Sequence, residues 1–460
     1  MTFLDNAPGR VVGGNRLGVI GLGRVGLVWA AVLAEAGFHV IGVDLDEAKV
    51  RLVSSGKAPF HEPGLDELVS RVVGEGLLEA TTSYEKLREA DTVFIMVGTP
   101  PGPGGAADLR YVEDAARGLG RVWRGARGYR LVVVRSTVPP GTTRGVVGRI
   151  VESESGLRLG EELGLAMNPE FVSEGTAVED SRRPSRIVIG ALDERSAEKL
   201  LSIYRVLSRG RLPPVVVTSI ENAELAKYAN NLMLAARLSI VNALALIAEK
   251  TPNADIDTVA HILGLDPRIG SAYLRAGLGY GGSCLPKDVD ALRAYASSLE
   301  LGVVASLLEA VQKLNEYMHV HAANLLAEAL GGLAGKRIAI LGIAFKPGTD
   351  DTRESKSLKL ALLLRERGAS VVLHDPMEGA RRDAARLGLA VVESLEDALR
   401  GADAAVVATP WREYVALHPR RFRELMKGSV VLDPWRVYDR SAFEREGLLL
   451  LQLGVSRVSG

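Results

Sequence analysis

Residues 16–44 constrain the fold of this chain more than any other stretch. They read RLGVIGLGRVGLVWAAVLAEAGFHVIGVD: an apolar strand, a glycine turn, an apolar helix and a second strand closed by an acid. Gly21, Gly23 and Gly26 give G-x-G-x-x-G spacing directly after the first strand, and Asp44 closes the second, about twenty residues on. Each glycine has its own reason. One allows the tight turn, one the close approach of a pyrophosphate, and one the packing of helix on strand. A carboxylate at Asp44 accepts hydrogen bonds from ribose hydroxyls and repels a 2′-phosphate, so the cofactor expected is NAD rather than NADP.

Further strands at 91–97 and 130–135 alternate with helical stretches, which predicts an α/β fold built on a doubly wound parallel sheet. Ligands then belong at the carboxyl ends of the strands. The loops there read VGTPPG at 97–102 and RSTVPPGTT at 135–143. Thr99, Ser136 and Thr137 offer hydroxyls to a cofactor or substrate, although each suits ordinary turn chemistry equally well. The segment 168–180, NPEFVSEGTAVED, carries Glu170 and Glu174, which share a face if the segment is helical. From Lys336 the alternation restarts, with strands at 337–341, 371–373, 404–408 and 430–432, predicting a second Rossmann-like domain. Its first turn, GIAFKPGTDDTRES, lacks the glycine fingerprint and instead presents Lys346 and Arg353, cations suited to a phosphate-bearing ligand. His374 reads as structural, and no metal-ligand spacing appears, so no metal is expected.

Between the two α/β regions, Thr218-x-x-Glu221 resembles a capping box, and helical periodicity runs from there to Lys250 before Thr251-Pro252. A helix of that length, about 45 Å, is expected to join two domains and to pack against a second subunit. Lys227 and Asn231 face the same way on it; a lysine so placed is more often a solvated charge. The expected division is a flexible tail at 1–15, an NAD-binding domain at 16–215, a helical connector and dimerisation domain at 216–330, and a second Rossmann-like domain for a phosphate-bearing ligand at 331–460.

The only cysteine in 460 residues, Cys284, stands in GLGYGGSCLPKD at 277–288. Pro286 suits the first position of a helix, which puts the thiol at or just before a helix N-terminus, where dipole and free amides favour the thiolate. The glycines before it leave open backbone for a substrate. A buried structural thiol is the alternative, but Gly, Ser, Lys and Asp are poor neighbours for a core. Formal net charge is zero, so bulk electrostatics suggest neither nucleic acid nor an anionic membrane. One cysteine fits a reducing compartment. The first residues, MTFLDNAPGRVVGG, lack a signal-peptide core. No uninterrupted apolar run nears the ~18 residues of a membrane span. A soluble, cytoplasmic protein is expected.

GLGRVG, VGTP, STVPPGTT, NPEFVSEGTAVED with PSRIVIG, ELAKYANN, GYGGSCLPKD and LGIAFKPGTDDTRES follow in this order. Together they resemble the UDP-glucose/GDP-mannose dehydrogenase family over nearly the whole chain. The resemblance implies that a nucleotide sugar is oxidised twice at the expense of NAD, by way of a thiohemiacetal and a thioester. It makes Cys284 the nucleophile, Glu170 the group that hydrolyses the thioester, and Asp288 an acid–base assistant. Lys227 and Asn231 then contact the sugar and an ordered water that Thr137 positions, and the first base lies between Lys227 and Asp288. It also implies that Lys49, Thr99, Ser136, Thr137, Glu174 and Arg353 join Gly21, Gly23, Gly26 and Asp44 around the cofactor. Arg268, Tyr273, Gly281, Phe345, Lys346 and Arg436 then join Lys227 and Asn231 around the substrate, Arg268 reaching that of a neighbouring subunit. A homodimer or higher homo-oligomer is implied.

Among UDP-glucose, GDP-mannose and UDP-N-acetylhexosamines, the segments NPEFVSEG, SCLPKD and PSRIVIG lean towards UDP-glucose. One departure stands out. Where the family often has Asp-Gly-Arg after the last strand, this chain reads Asp433-Pro434-Trp435-Arg436, with Trp435 in the arginine's place and Arg436 as its substitute. Two rivals remain: a non-catalytic nucleotide-sugar sensor, and a single-step 3-hydroxyacid dehydrogenase. The presence of Cys284 and Lys227 counts against the first. The second leaves Cys284 and the last third of the chain without purpose.

Overall fold

The computed structural model describes residues 16–456; the tail expected at 1–15 lies outside them. By internal packing the chain divides into two compact units, Met1–Asn230 and Asn231–Gly460.

In the first unit eight strands form one sheet. They are β1 (Arg16–Ile20), β2 (His39–Val43), β3 (Leu78–Thr81), β4 (Thr92–Ile95), β5 (Arg130–Val134), β6 (Leu163–Met167), β7 (Ile187–Ala191) and β8 (Val215–Thr218). Their spatial order is β3-β2-β1-β4-β5-β6-β7-β8. The first six strands therefore follow the 3-2-1-4-5-6 order of dinucleotide-binding sheets. The sheet is not parallel throughout, as the alternation predicted: β6 and β7 run antiparallel, Ala166 opposite Ala191. Seven helices pack on this sheet or run between its strands: α1 (Gly26–Glu35), α2 (Glu47–Ser54), α3 (Leu65–Gly74), α4 (Arg110–Val122), α5 (Arg149–Ser155), α6 (Ala177–Arg182) and α7 (Glu194–Leu207).

The period of two along each strand assigns its side chains to the two sides. Val19, Phe94, Leu131 and Val133 enter one apolar cluster with α1, α3 and α7. Ile20, Val93, Ile95, Val132 and Val134 enter another with α4 and α5. Helix α1 has no polar face, and Gly26 through Ala34 are all buried, as expected of a helix wedged between sheet and further helices.

Helix α8 (Ile220–Lys250) runs unbroken across the division between the units. Its cap differs from the one read in the sequence. Ser219, not Thr218, accepts the amide of Asn222 at 3.2 Å, and the Thr218 hydroxyl takes the Asn222 side chain at 3.0 Å. Among the described residues α8 is also the one helix long and apolar enough to cross a bilayer, yet Glu224, Lys227, Asn231, Asn242 and Glu249 on it are all buried polar groups.

The second unit contains α9 (Ile256–Leu265), α10 (Leu285–Ser298) and α11 (Gly302–Leu330), then a six-stranded sheet with α12 (Lys356–Glu366) after its first strand. The strands are β9 (Arg337–Leu341), β10 (Ser370–His374), β11 (Ala390–Val391), β12 (Ala404–Val407), β13 (Val430–Asp433) and β14 (Leu449–Gln452). All are parallel, in the order β11-β10-β9-β12-β13-β14, so the chain builds the 3-2-1-4-5-6 arrangement twice.

Candidate active site

In the first unit the turn after β1 has the shape of a pyrophosphate cradle. Gly21 has φ +96°, a conformation that disfavours any side chain. A Cβ on Gly26 would stand 1.9 Å from the Gly21 carbonyl, whereas one on Gly23 would meet nothing within 4 Å. The three glycines thus divide into turn, open approach and close helix packing, the roles their spacing predicts. At the end of β2, Asp44 accepts the Leu22 amide at 2.8 Å and the Lys49 ammonium at 2.8 Å. The two loops beyond β4 and β5 are tied together. Ser136 donates to the Val97 carbonyl at 2.7 Å, and Thr99 donates to the Thr137 carbonyl at 2.9 Å. These residues and Asp44 fit a dinucleotide; Glu174, 3.9 Å from Arg24, lies in the loop after β6.

That loop also holds Glu170, and it is not helical, so Glu170 and Glu174 do not share a helix face. Glu170 is buried, and Lys227 of α8 meets it twice: at 2.9 Å from its carboxylate and 2.7 Å from its own carbonyl. Lys227 is therefore buried and committed, contrary to the solvated charge more usual on a helix. Burial alone raises the Glu170 pKa. The Lys227 charge and hydrogen bond, the Val172 amide and the Arg135 charge outweigh it and hold the carboxyl below its ordinary value.

Two buried carboxylates shape the loops around this pair. Glu62 accepts the amides of Gly175 and Ala177 at 2.8 and 2.7 Å. Glu224 accepts those of Gly141 and Thr143 at 2.6 and 2.7 Å. Burial pushes the Glu224 carboxyl up despite those amides.

In the second unit Cys284 is the N-cap of α10 and is exposed. Pro286 takes the second helical position rather than the first. The dipole and first-turn amides at this end of a helix favour an anion, and so the thiolate form of a cysteine placed there. One turn on, Asp288 is buried; it accepts the Asn231 side-chain amide at 2.6 Å and pairs with Lys287. The loop before the thiol owes its shape to glycine. Gly279 has φ +101°, and a Cβ there would lie 2.5 Å from the Asn315 side-chain oxygen. Asn315 clamps both backbone groups of Tyr280, at 2.7 and 3.0 Å. Gly281 passes so close to the Glu354 carbonyl and Phe345 that a Cβ would reach them at 2.6 and 3.0 Å.

Comparison with known proteins identifies the family. Sequence profiles of the UDP-glucose/GDP-mannose dehydrogenase family match the chain over residues 15–208 (NAD binding domain), 221–317 (central domain) and 339–440 (UDP binding domain). The UDP-glucose 6-dehydrogenase AglM of Haloferax volcanii is 44% identical over 433 residues, 94% of this chain and 98% of that one. The chain belongs to the UDP-glucose/GDP-mannose dehydrogenase family. It is an NAD-dependent oxidoreductase. The structure of a UDP-glucose dehydrogenase from Pyrobaculum islandicum superposes with TM-score 0.86 at 43% identity, covering 98% of this chain and 99% of that one. A UDP-D-ManNAc dehydrogenase from Pyrococcus horikoshii superposes with TM-score 0.83 at 29% identity, covering 95% and 99%.

Other positions singled out for this dehydrogenase fall less uniformly. Arg268 is exposed and held by Asp266, and Tyr273 is exposed with φ +60°. Lys346 lies 5.6 Å from the ring centre of Phe345 at the turn after β9. Arg353 is fixed by a double contact to Asp351. Arg436, with φ +54°, donates to the carbonyls of Pro434, Leu453 and Ala276 and pairs with Asp257 at 2.9 Å. Trp435 packs against Gly277, where a Cβ would lie 2.3 Å from its ring, and donates its indole N–H to the Ala408 carbonyl at 2.9 Å. His374 is bonded to the Tyr414 hydroxyl at 2.8 Å and the Glu393 carbonyl at 3.1 Å. Among the described residues no group of three or more His, Cys, Asp or Glu could hold a metal ion.

Glu62 and Glu224 were missed in the sequence. Their partners lie 113 and 83 residues away, and nothing local marks a carboxylate as a loop anchor.

Proposed function

We propose that the chain oxidises UDP-glucose to UDP-glucuronate through a covalent intermediate on Cys284. The reading rests first on that thiol: the only cysteine, exposed at the N-cap of a 14-residue helix, in a chain 44% identical to a UDP-glucose 6-dehydrogenase. Further relatives of the same printed activity, at 38% and 36% identity in Bacillus subtilis, support UDP-glucose over the N-acetylhexosamine substrates.

NAD, when bound, accepts the hydride at each of the two oxidations. Cys284 contributes the carbon–sulfur chemistry. Its thiolate adds to the aldehyde carbon to give a thiohemiacetal, and oxidation of that adduct leaves a thioester. Lys227 and Asn231 stabilise the oxyanions that form at the reacting carbon. Glu170, kept ionised by Lys227, takes a proton from water as the water oxygen bonds to the acyl carbon and the carbon–sulfur bond breaks. The thiolate leaves and the acid is released. Asp288, buried and bonded to Asn231, assists the earlier proton transfer.

We also read the protein as a homodimer formed along α8. Met233, Ile240 and Ile247 recur every seven residues, and each is about 60% exposed, an apolar stripe that a second copy would cover.

NADH yield on limiting UDP-glucose tests the reaction, for the native protein and Cys284→Ser. Two NADH per sugar, with turnover abolished by the substitution, is the expected result. One NADH per sugar, surviving the substitution, refutes the covalent route.

A further inference from the structure

Arg135, at the carboxyl end of β5, is 6% exposed. Among the described residues its hydrogen-bond partners are all neutral. Its Nη1 donates to the side-chain oxygen of Asn168, to the Asn168 carbonyl at 3.5 Å and to the Tyr204 hydroxyl at 2.8 Å, while its Nε has no hydrogen-bond partner among them. The guanidinium lies 4.0 Å over the ring of Trp29. A buried cation without a carboxylate partner costs free energy, and a neutral side chain would fill this place more cheaply. Its neighbours suggest what the charge is for. Asn168 is held on every side: its amide by the Val134 carbonyl at 2.9 Å, its side chain by the Val188 carbonyl at 2.8 Å and Tyr204 at 2.7 Å. Two residues on comes Glu170. Arg135, Tyr204 and Glu170 line one cavity of about 110 Å³ within the first unit.

We infer that Arg135 is a positioning residue for Glu170: its Nη1 fixes Asn168 at the head of the Asn168-Pro169-Glu170 segment, and its charge is a second cation for the carboxylate beside Lys227. This rests on the role proposed for Glu170 in hydrolysis. The charged and titratable groups around Glu170 are Lys227 from α8 and Arg135 from β5, with Tyr204 from α7, Asp180 from α6, and Arg183 and Arg186 ahead of β7 lining the same cavity. The Arg135 charge also contributes to the lowered pKa of Glu170.

The test compares Arg135→Met, Arg135→Lys and Glu170→Gln with the native enzyme. Each is mixed with NAD and UDP-glucose and quenched in acid, and intact mass gives the fraction of Cys284 carrying an acyl group; turnover is followed against pH. Losing the charge in Arg135→Met raises the Glu170 pKa, so the acid limb of turnover moves to higher pH. Acyl-Cys284 rises several-fold. Arg135→Lys keeps the charge but loses the Nη1 contacts to Asn168 and Tyr204, so the limb stays while acyl-Cys284 still accumulates; this variant decides the matter if Arg135→Met does not fold. A native limb and native acyl fraction in both Arg135 variants, with acyl-Cys284 accumulating in Glu170→Gln, overturns the inference alone. No accumulation in Glu170→Gln overturns the role of Glu170 itself.

Discussion

Replacing Lys227 with methionine separates the electrostatics of the buried pair from its catalysis, because the readout needs no substrate. The ammonium and carboxylate stand 2.9 Å apart with side chains 5% and 9% exposed. At an effective dielectric near 20 their attraction is about 6 kcal/mol. Part of that offsets desolvation, and breaking one partner of a buried pair leaves a net loss of about 3–5 kcal/mol. The loss depends on pH. In the native protein the folded pKa of Glu170 is lowered, so its stabilising contribution is present above the unfolded value of about 4.3 and disappears as pH falls through the folded pKa. In Lys227→Met burial pushes that pKa above the unfolded value, so destabilisation grows as pH rises from about 4.3 through the new folded pKa. Urea denaturation at acid and at neutral pH therefore shows a small stability difference between native and variant at the first and the full loss at the second. Adding Glu170→Gln restores much of the neutral-pH stability. Equal losses at both pH values, with no rescue, would refute an ionised pair and leave only lost packing.

Gly26→Ala puts a Cβ 1.9 Å from the Gly21 carbonyl, which forces the turn after β1 open. We expect a destabilisation of about 1–3 kcal/mol and an NAD affinity at least tenfold weaker by fluorescence titration; unchanged affinity would remove this turn from the cofactor site. Ile240→Glu places a charge in the middle of the apolar stripe on α8, and sedimentation should show the variant as a monomer where the native chain is a dimer. A variant that sediments like the native protein would move the interface elsewhere.

What the sequence made legible was local. The glycine fingerprint works through contacts within a single strand–turn–helix unit, so its three roles can be read from spacing, and the structure reproduces each at Gly21, Gly23 and Gly26. The proline two residues on likewise placed Cys284 at or just before a helix N-terminus, although Pro286 sits one position further into the helix than its chemistry suggested. Residues whose meaning depends on distant chain were opaque. Lys227 looks like any helical lysine until Glu170, 57 residues away, closes on it. The antiparallel β6–β7 pair leaves no trace in apolar runs that suit either direction. The contacts of Arg436 were equally hidden, because its positive φ and its bonds to the carbonyls of Leu453 and Ala276 cannot be seen in the sequence.

The exposed thiol at the head of α10 has a consequence for life in oxidants. An accessible thiolate is the form that peroxide converts to sulfenic acid. Redox-sensing proteins often trap that species with a neighbouring thiol, but the 460 residues contain no other cysteine. A thiol that rescues Cys284 as a disulfide therefore comes from outside the chain, and further oxidation takes the sulfur to the irreversible sulfinic acid.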